Sequence, residues 1–328
     1  MLNNNDFARG CESALACIFS LSGIKLTEQE ISLFRNANPF GFILFKRNCE
    51  NPNQLKSLIS KLKEIVGRDC PVLIDQEGGR VQRLRPPHWR CFKPMKYFGD
   101  LYVSDPDRAL EELRFEILRL ADELIEAGVN VNCAPVLDLM FDGAHDIIGD
   151  RAFSYDPAIV SRLGYSVCNN LLKAGVVPII KHIPGHGRAY SDSHLELPII
   201  DASYDDLSAL DFTPFREISR SDIGRRVWAM TAHITFNALD TEHLVSVSQK
   251  VIKETIRGCI GFDGILIGDD LDMKALDAYG SISDKAIESL RAGCDLALYC
   301  GGELDKMESL ASNLPKISKK TLERLSNG

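Results

Sequence analysis

A chain of 328 residues, 45% hydrophobic and 26% charged, can bury a large core and has the composition of an ordinary globular protein. Its net charge of −8, with a pI near 5.5 and no basic cluster, argues against nucleic-acid or anionic-membrane binding. Ten cysteines stand singly with no Cys-x-x-Cys pair, which reads as reduced, mostly buried thiols of a cytosolic protein. No apolar run approaches the roughly 20 residues needed to span a bilayer.

In chain order, the apolar segment from Ser13 to Ser22 follows Asp6 and Glu12 without a basic lead. It reads as a first strand and not as a signal peptide. Strands are expected at Ala14–Leu21, Gly41–Phe45, Val72–Asp75, Val129–Pro135, Val176–Lys181, Val227–Thr231, Gly264–Ile267 and Leu296–Tyr299. Several are continuously apolar, as strands buried on both faces should be. Helices are expected between them. Asn51-Pro52, Asp105-Pro106 and Asp156-Pro157 read as N-caps with proline at the first helical position. Gly67, Gly128 and Gly175 read as stops. Repeated helix, glycine stop and buried strand predict parallel βα units. Eight of them favour an α/β fold closed as a single (β/α)8 TIM barrel, one domain over residues 1–328. An open doubly wound sheet is the alternative, and the absence of Gly-x-Gly-x-x-Gly after the first strand counts against it. Irregular structure is expected at 76–104 and 183–204.

In a barrel the active site is built at the C-terminal ends of the strands. Here those ends are polar: Asp75 then Gln76-Glu77-Gly78-Gly79-Arg80-Val81-Gln82-Arg83; Asn132 leading through Asp138 to Gly149-Asp150-Arg151; Lys181-His182; Thr231-Ala232-His233; and Gly268-Asp269-Asp270. Desolvating so many charges costs several kcal/mol unless they pair or bind something. Each has a plain structural alternative. Asp75 can cap the glycine turn, one of Arg80 and Arg83 can anchor a loop, and Lys181 can form a structural ion pair. His186 can simply hold its loop, and His233 can be a satisfied strand-end histidine.

The densest stretch is 176–194, which holds three of the seven histidines. His182, His186, His194 and Asp192 suggest a metal ligand set. Pro184 and Gly185 between the first two exclude the helical i, i+4 zinc arrangement, so only loop ligands remain. No Gly-x-Ser-x-Gly elbow supports a serine hydrolase.

Lys181-His182-Ile183-Pro184-Gly185-His186-Gly187 followed by Ser191-Asp192-Ser193-His194 resembles the signature loop of family-3 glycoside hydrolases, and more narrowly of the bacterial β-N-acetylglucosaminidases (β-hexosaminidases) in that family. The Asp75–Arg83, Gly149–Phe153, Thr231–His233 and Gly268–Met273 motifs match in the same order, so the resemblance spans about residues 10 to 300. It implies a single-domain cytoplasmic enzyme of peptidoglycan recycling, and through that role a link to cell shape and division. Its reaction would remove N-acetylglucosamine from 1,6-anhydro-muropeptides. It implies Asp269 as nucleophile, His194 as acid/base and Asp192 as the group orienting His194. Asp75, Arg83, Arg151, Lys181 and His182 would bind the sugar. The chain ends too soon for the second domain of larger members. Gly268 departs from the family's usual Ser or Thr, which should alter only a local hydrogen bond.

Chemically, retention needs a nucleophile and a group that acts first as acid and then as base. A histidine titrates near neutrality and suits the second task with little tuning. Gly185 and Gly187 are expected to let the 183–195 loop rearrange around substrate. No metal or organic cofactor is required. The expected partner is a small carbohydrate, with no nucleic acid or membrane, and the chain is expected to act as a monomer. The rival readings are a substrate-assisted hexosaminidase using Asp269 and Asp270, a glycoside phosphorylase, and a non-catalytic sugar-binding barrel.

Overall fold

A computed structural model describes residues 4–143, 146–190 and 197–328. Eight parallel strands close into a barrel in sequential order. They are β1 (Leu15–Phe19), β2 (Pro39–Leu44), β3 (Val72–Ile74), β4 (Val131–Asn132), β5 (Val177–Ile183), β6 (Trp228–Thr231), β7 (Leu266–Asp270) and β8 (Leu296–Tyr299). The expected architecture is therefore observed. A doubly wound sheet is excluded, because β1 pairs with both β2 and β8.

The helices form where caps and periodicity place them. The main ones are α1 (Glu28–Ala37), α2 (Pro52–Val66), α3 (Pro106–Ala127), α4 (Pro157–Ala174), α5 (Phe212–Arg220), α6 (Val251–Ile260, wound as a π-helix), α7 (Ile282–Ala292) and α8 (Leu304–Asn313). Asn51, Asp105 and Asp156 each accept a backbone N–H of the first turn. Gly128 and Gly175, at φ 91° and 93°, end α3 and α4 in the left-handed conformation that glycine adopts without a Cβ penalty. Apolar faces such as Leu113, Ile117, Leu120 and Leu124 of α3 pack onto the outside of the barrel.

A second, inner core fills the barrel with Ile18, Ile43, Leu73, Val131, Ile179, Trp228, Ile267 and Leu298. Short helices at Asn4–Ala8 and Lys319–Ser326 close its lower end, where Asn4 accepts the Trp228 indole N–H at 3.0 Å and Phe7 packs on the same ring. Among the described residues no helix is long and apolar enough to cross a membrane.

Several boundaries differ from expectation. The fourth strand is regular only over Val131–Asn132. The Asn130 side chain takes over pairing at its start, bonding Val72 N–H and Cys70 C=O, and Pro135 has no N–H to continue the ladder. Strands β5 and β7 run on to Ile183 and Asp270, so their polar residues lie within the strands. The irregular stretch 76–104 contains a hairpin, Gln76–Gly78 with Val81–Gln82, and a helix, Met95–Ser104.

Candidate active site

Side chains of a strand alternate between its two faces, and this alternation builds the site. Leu73 points into the barrel, so Asp75 is next in the inward register. Val177 and Ile179 are followed by Lys181, Ile265 and Ile267 by Asp269, and Leu296 and Leu298 by Cys300. The apolar filling thus gives way to charge one step further along several strands. Together these residues line a cavity of about 230 Å³ with Phe45, Glu77, Arg83, Arg151, His182, His186, Met230 and Asp270.

Five of the charges form one chain. Arg83 Nη2 donates to Asp75 at 2.8 Å, and Lys181 Nζ reaches Asp75 at 2.8 Å and Glu77 at 2.7 Å. Arg151 clamps Glu77 through Nε at 2.8 Å and Nη2 at 2.9 Å, the bidentate geometry a guanidinium favours. Three cations alternate with two carboxylates. Burial would raise both carboxyl pKa values. Lys181 and Arg83 overcome it at Asp75, Arg151 and Lys181 do so at Glu77, and both are held below the usual carboxylate range. Lys181 is raised in turn: burial opposes its charge, but Asp75 and Glu77 outweigh it. All five are charged at neutral pH. Exposure separates their roles: side chains of Glu77 and Lys181 are 2% and 3% exposed, those of Asp75 and Arg83 14% and 29%. Asp75 and Arg83 therefore turn the more open faces to the cavity, while Lys181, itself held by Glu77, steadies Asp75.

A second group lies on the β5 side. His182 Nδ1 is 2.7 Å from Asp138 Oδ2, and the same carboxylate accepts the backbone N–H groups of His182 and His186. Burial raises the Asp138 carboxyl, but His182 and these bonds hold it low. His186 packs its ring 5.5 Å from that of His182, and burial, with His182 beside it, lowers its pKa to about 4. At neutral pH His186 is an uncharged imidazole. On β7, Asp269 Oδ1 accepts the Asp270 N–H at 2.8 Å. The Asp270 carboxylate turns to the N–H groups of Cys300 and Asp272 at 3.0 and 3.2 Å, and burial pushes its pKa up to about 6.

Of the residues named from sequence, Asp75, Arg83, Arg151, Lys181, His182 and Asp269 meet around one cavity. Asp192 and His194 lie outside the described residues. Arg80 anchors a loop through Asp146 and Asp150, as expected of one of the two arginines. His233 is satisfied between Ser246 Oγ and the Asp270 carbonyl. His186 is tied to Asp138 through its backbone N–H, while its ring packs on His182 and lines the cavity.

Gly185 and Gly187 sit in tight surroundings. Both are packed: a Cβ on Gly187 would collide with the Leu139 carbonyl oxygen, and one on Gly185 would lie 3.0 Å from Asp211 Cβ. Close approach calls for glycine at 187, and at 185 a φ of 142° does so together with the Asp211 contact. Sequence reasoning assigns Glu77 and Asp138 no role. Their signals are a second acidic residue in step with Asp75, and a lone charge in the apolar run Val136-Leu137-Asp138-Leu139. Among the described residues no three His, Cys, Asp or Glu side chains form a metal-holding group.

A parallel barrel whose strand ends surround a sugar-sized cavity with ionised carboxylates and guanidinium groups is built to hold hydroxyl-rich substrates and attack them with a carboxylate. Similarity to known proteins gives this class a family. Residues 17–325 match the glycosyl hydrolase family 3 N terminal domain. The chain is 33% identical over 304 residues to a β-hexosaminidase of Methylobacillus flagellatus, covering 92% of this chain and 85% of the relative. It is 35% identical over 297 residues to one of Nitrosomonas eutropha, covering 90% and 83%. A crystal structure of NagZ from Neisseria gonorrhoeae in complex with N-trifluoroacetyl-D-glucosamine superposes with a TM-score of 0.87 at 32% identity, over 95% of this chain and 89% of that one. The chain belongs to glycoside hydrolase family 3, and it is an enzyme that hydrolyses glycosidic bonds.

Proposed function

We propose that this enzyme is a retaining β-N-acetylglucosaminidase. It releases terminal non-reducing β-1,4-linked N-acetylglucosamine from 1,6-anhydro-muropeptides, in the cytoplasmic recycling of peptidoglycan. The observation that carries the reading is Asp269: a carboxylate in the inward register of β7, across one small cavity from the Arg83–Asp75–Lys181–Glu77–Arg151 chain. The N-acetylglucosamine analogue held by the gonococcal NagZ supports the choice of sugar.

In the proposed reaction, Asp75 accepts hydrogen bonds from substrate hydroxyls while Arg83 and Arg151 donate. Such charge-assisted bonds contribute about 1.5–3 kcal/mol each. Lys181 acts chiefly by keeping Asp75 and Glu77 ionised and in place, and His182 is set against the sugar by Asp138. A carboxylate oxygen of Asp269 forms a bond to the anomeric carbon as the bond to the leaving oxygen breaks. The imidazolium of His194 supplies the proton that oxygen needs and is left as neutral imidazole, while Asp192 accepts a hydrogen bond from its Nδ1–H. Water then attacks the glycosyl-enzyme, His194 takes its proton, and Asp269 is freed as carboxylate. The backbone bonds held by Asp270 favour this covalent route over one in which Asp270 assists an acetamido nucleophile.

The decisive experiment is trapping with a 5-fluoro-N-acetylglucosaminyl fluoride, followed by peptide mass analysis. The expected adduct is on Asp269, and Asp269→Ala should give none and lose at least about 10³-fold in kcat with an unchanged circular dichroism spectrum. Absence of an adduct, or an adduct elsewhere, overturns the assignment. Product analysis with and without phosphate separates hydrolysis from phosphorolysis.

A further inference from the structure

The chain between β5 and Tyr190 is tied down at several points. Gly185 N–H bonds His182 C=O at 2.7 Å, His186 N–H bonds Asp138 at 2.7 Å, and Ala189 N–H bonds His186 C=O at 3.1 Å. Arg188 then leaves the backbone and is gripped on two sides. Its Nε donates to Asp211 Oδ2 at 2.8 Å, and its guanidinium lies 4.1 Å from the ring centroid of Phe141. Arg188, Asp211 and Phe141 are not among the residues lining the substrate cavity.

Asp211 reaches Arg188 through a local irregularity. Residues Leu207–Asp211 wind as a π-turn, with Phe212 N–H bonded to Leu207 C=O, before α5 resumes at Phe212. A π-turn adds a residue to the helix and swings the side chains beyond it, and such bulges recur at functional sites. Here it buries the Asp211 carboxylate to 2% exposure, against Gly185. Burial pushes its pKa up to about 6 against the pull of Arg188, so the group is held there at a cost. A buried ion pair of this kind seldom stabilises a fold more than apolar packing would; what the pair adds is a fixed place for Arg188.

We propose that the Arg188–Asp211 pair is a positioning device for proton transfer: it fixes the stem from which the chain leaves toward Asp192 and His194. The inference rests on the acid/base role assigned to His194 above. Three residues separate Arg188 from Asp192 in the sequence, so the anchored stem ends just before that segment. A misplacement of about 1 Å at a reacting group can cost about 10²-fold in rate.

The test uses Arg188→Met, Asp211→Asn and Arg188→Lys in the full chain, with His194→Ala as reference. Values of kcat/KM are compared on an N-acetylglucosaminide with a sugar aglycone and on one with a dinitrophenyl aglycone, which departs without a proton. Expected is a loss of about 10²-fold on the first and less than about 3-fold on the second for Arg188→Met and Asp211→Asn. Azide should restore kcat on the second, because an anionic nucleophile needs no base, and Arg188→Lys should recover most of the activity. Equal losses on both substrates, or none on either, overturn the proposal. If Arg188→Met does not fold, Asp211→Asn, which changes no volume, decides the same question. If His194→Ala itself shows no leaving-group dependence, the acid/base reading falls. If it does and the stem variants do not, only the stem proposal falls.

Discussion

The barrel carries buried ion networks at both ends, and they differ in one respect. At the lower end, Asp295 sits just before β8 and spends both oxygens inside the protein: on Arg257 at 2.9 Å, Arg324 at 2.7 Å, Thr321 Oγ1 at 3.0 Å and the Leu266 N–H at 2.9 Å. At the upper end, Asp75 is just as firmly paired with Lys181 and Arg83, yet it keeps an open side on a cavity. Buried charge alone therefore does not mark a site. The mark is a satisfied charge with one face left uncovered, because that face can bind a hydroxyl without breaking the network.

If the two ends differ in this way, perturbing the lower network should damage stability and spare chemistry. Asp295→Ala removes the carboxylate that pairs with both Arg257 and Arg324 and should cost about 3–5 kcal/mol in urea unfolding, with kcat per folded molecule unchanged. A matching loss in kcat would dissolve the distinction between the two ends.

The next effect sharpens the electrostatics of the upper end. His186 is held neutral, with its pKa lowered from 6.5 to about 4. Between these values the unfolded chain binds a proton that the folded one does not. Its contribution is thus complete above pH 6.5 and is lost as pH falls toward 4, a total of about 3 kcal/mol. His186→Gln should flatten the pH dependence of unfolding free energy in that window; an unchanged slope would show that His186 is not the group responsible.

The smallest effect concerns Gly268, beside Asp269. A Cβ there would stand 2.8 Å from Ser289 Oγ of α7, whereas Ser289 Cβ is 3.9 Å away. Gly268→Ser should cost about 1 kcal/mol, and adding Ser289→Ala should recover it, as thermal unfolding of the single and double variants would report. Failure of the second change to compensate would place the strain elsewhere.

Much of this is legible in the chain itself. The caps at Asn51, Asp105 and Asp156 and the stops at Gly128 and Gly175 act through neighbours a few residues away, so local sequence suffices to find them. Apolar strands ending in Asp75, Lys181-His182 and Asp269 announce the site for a similar reason: a period of two carries the inward face from one residue to the next. Glu77 and Asp138 are harder to read. Their importance depends on partners 74 and 44 residues away, Arg151 and His182.

The sequence by itself determined the order of elements, the eight βα repeats that favour a barrel and the identity of the polar strand ends, while the pairing of β1 with both β2 and β8 closed it. The first three follow from periodicity, capping chemistry and the number of repeats. Only the tertiary structure decided which charges neutralise each other, which keep a face toward the cavity, and why Gly185 and Gly187 are glycines. Those answers depend on distances between segments remote in the chain, and a one-dimensional pattern does not carry such distances.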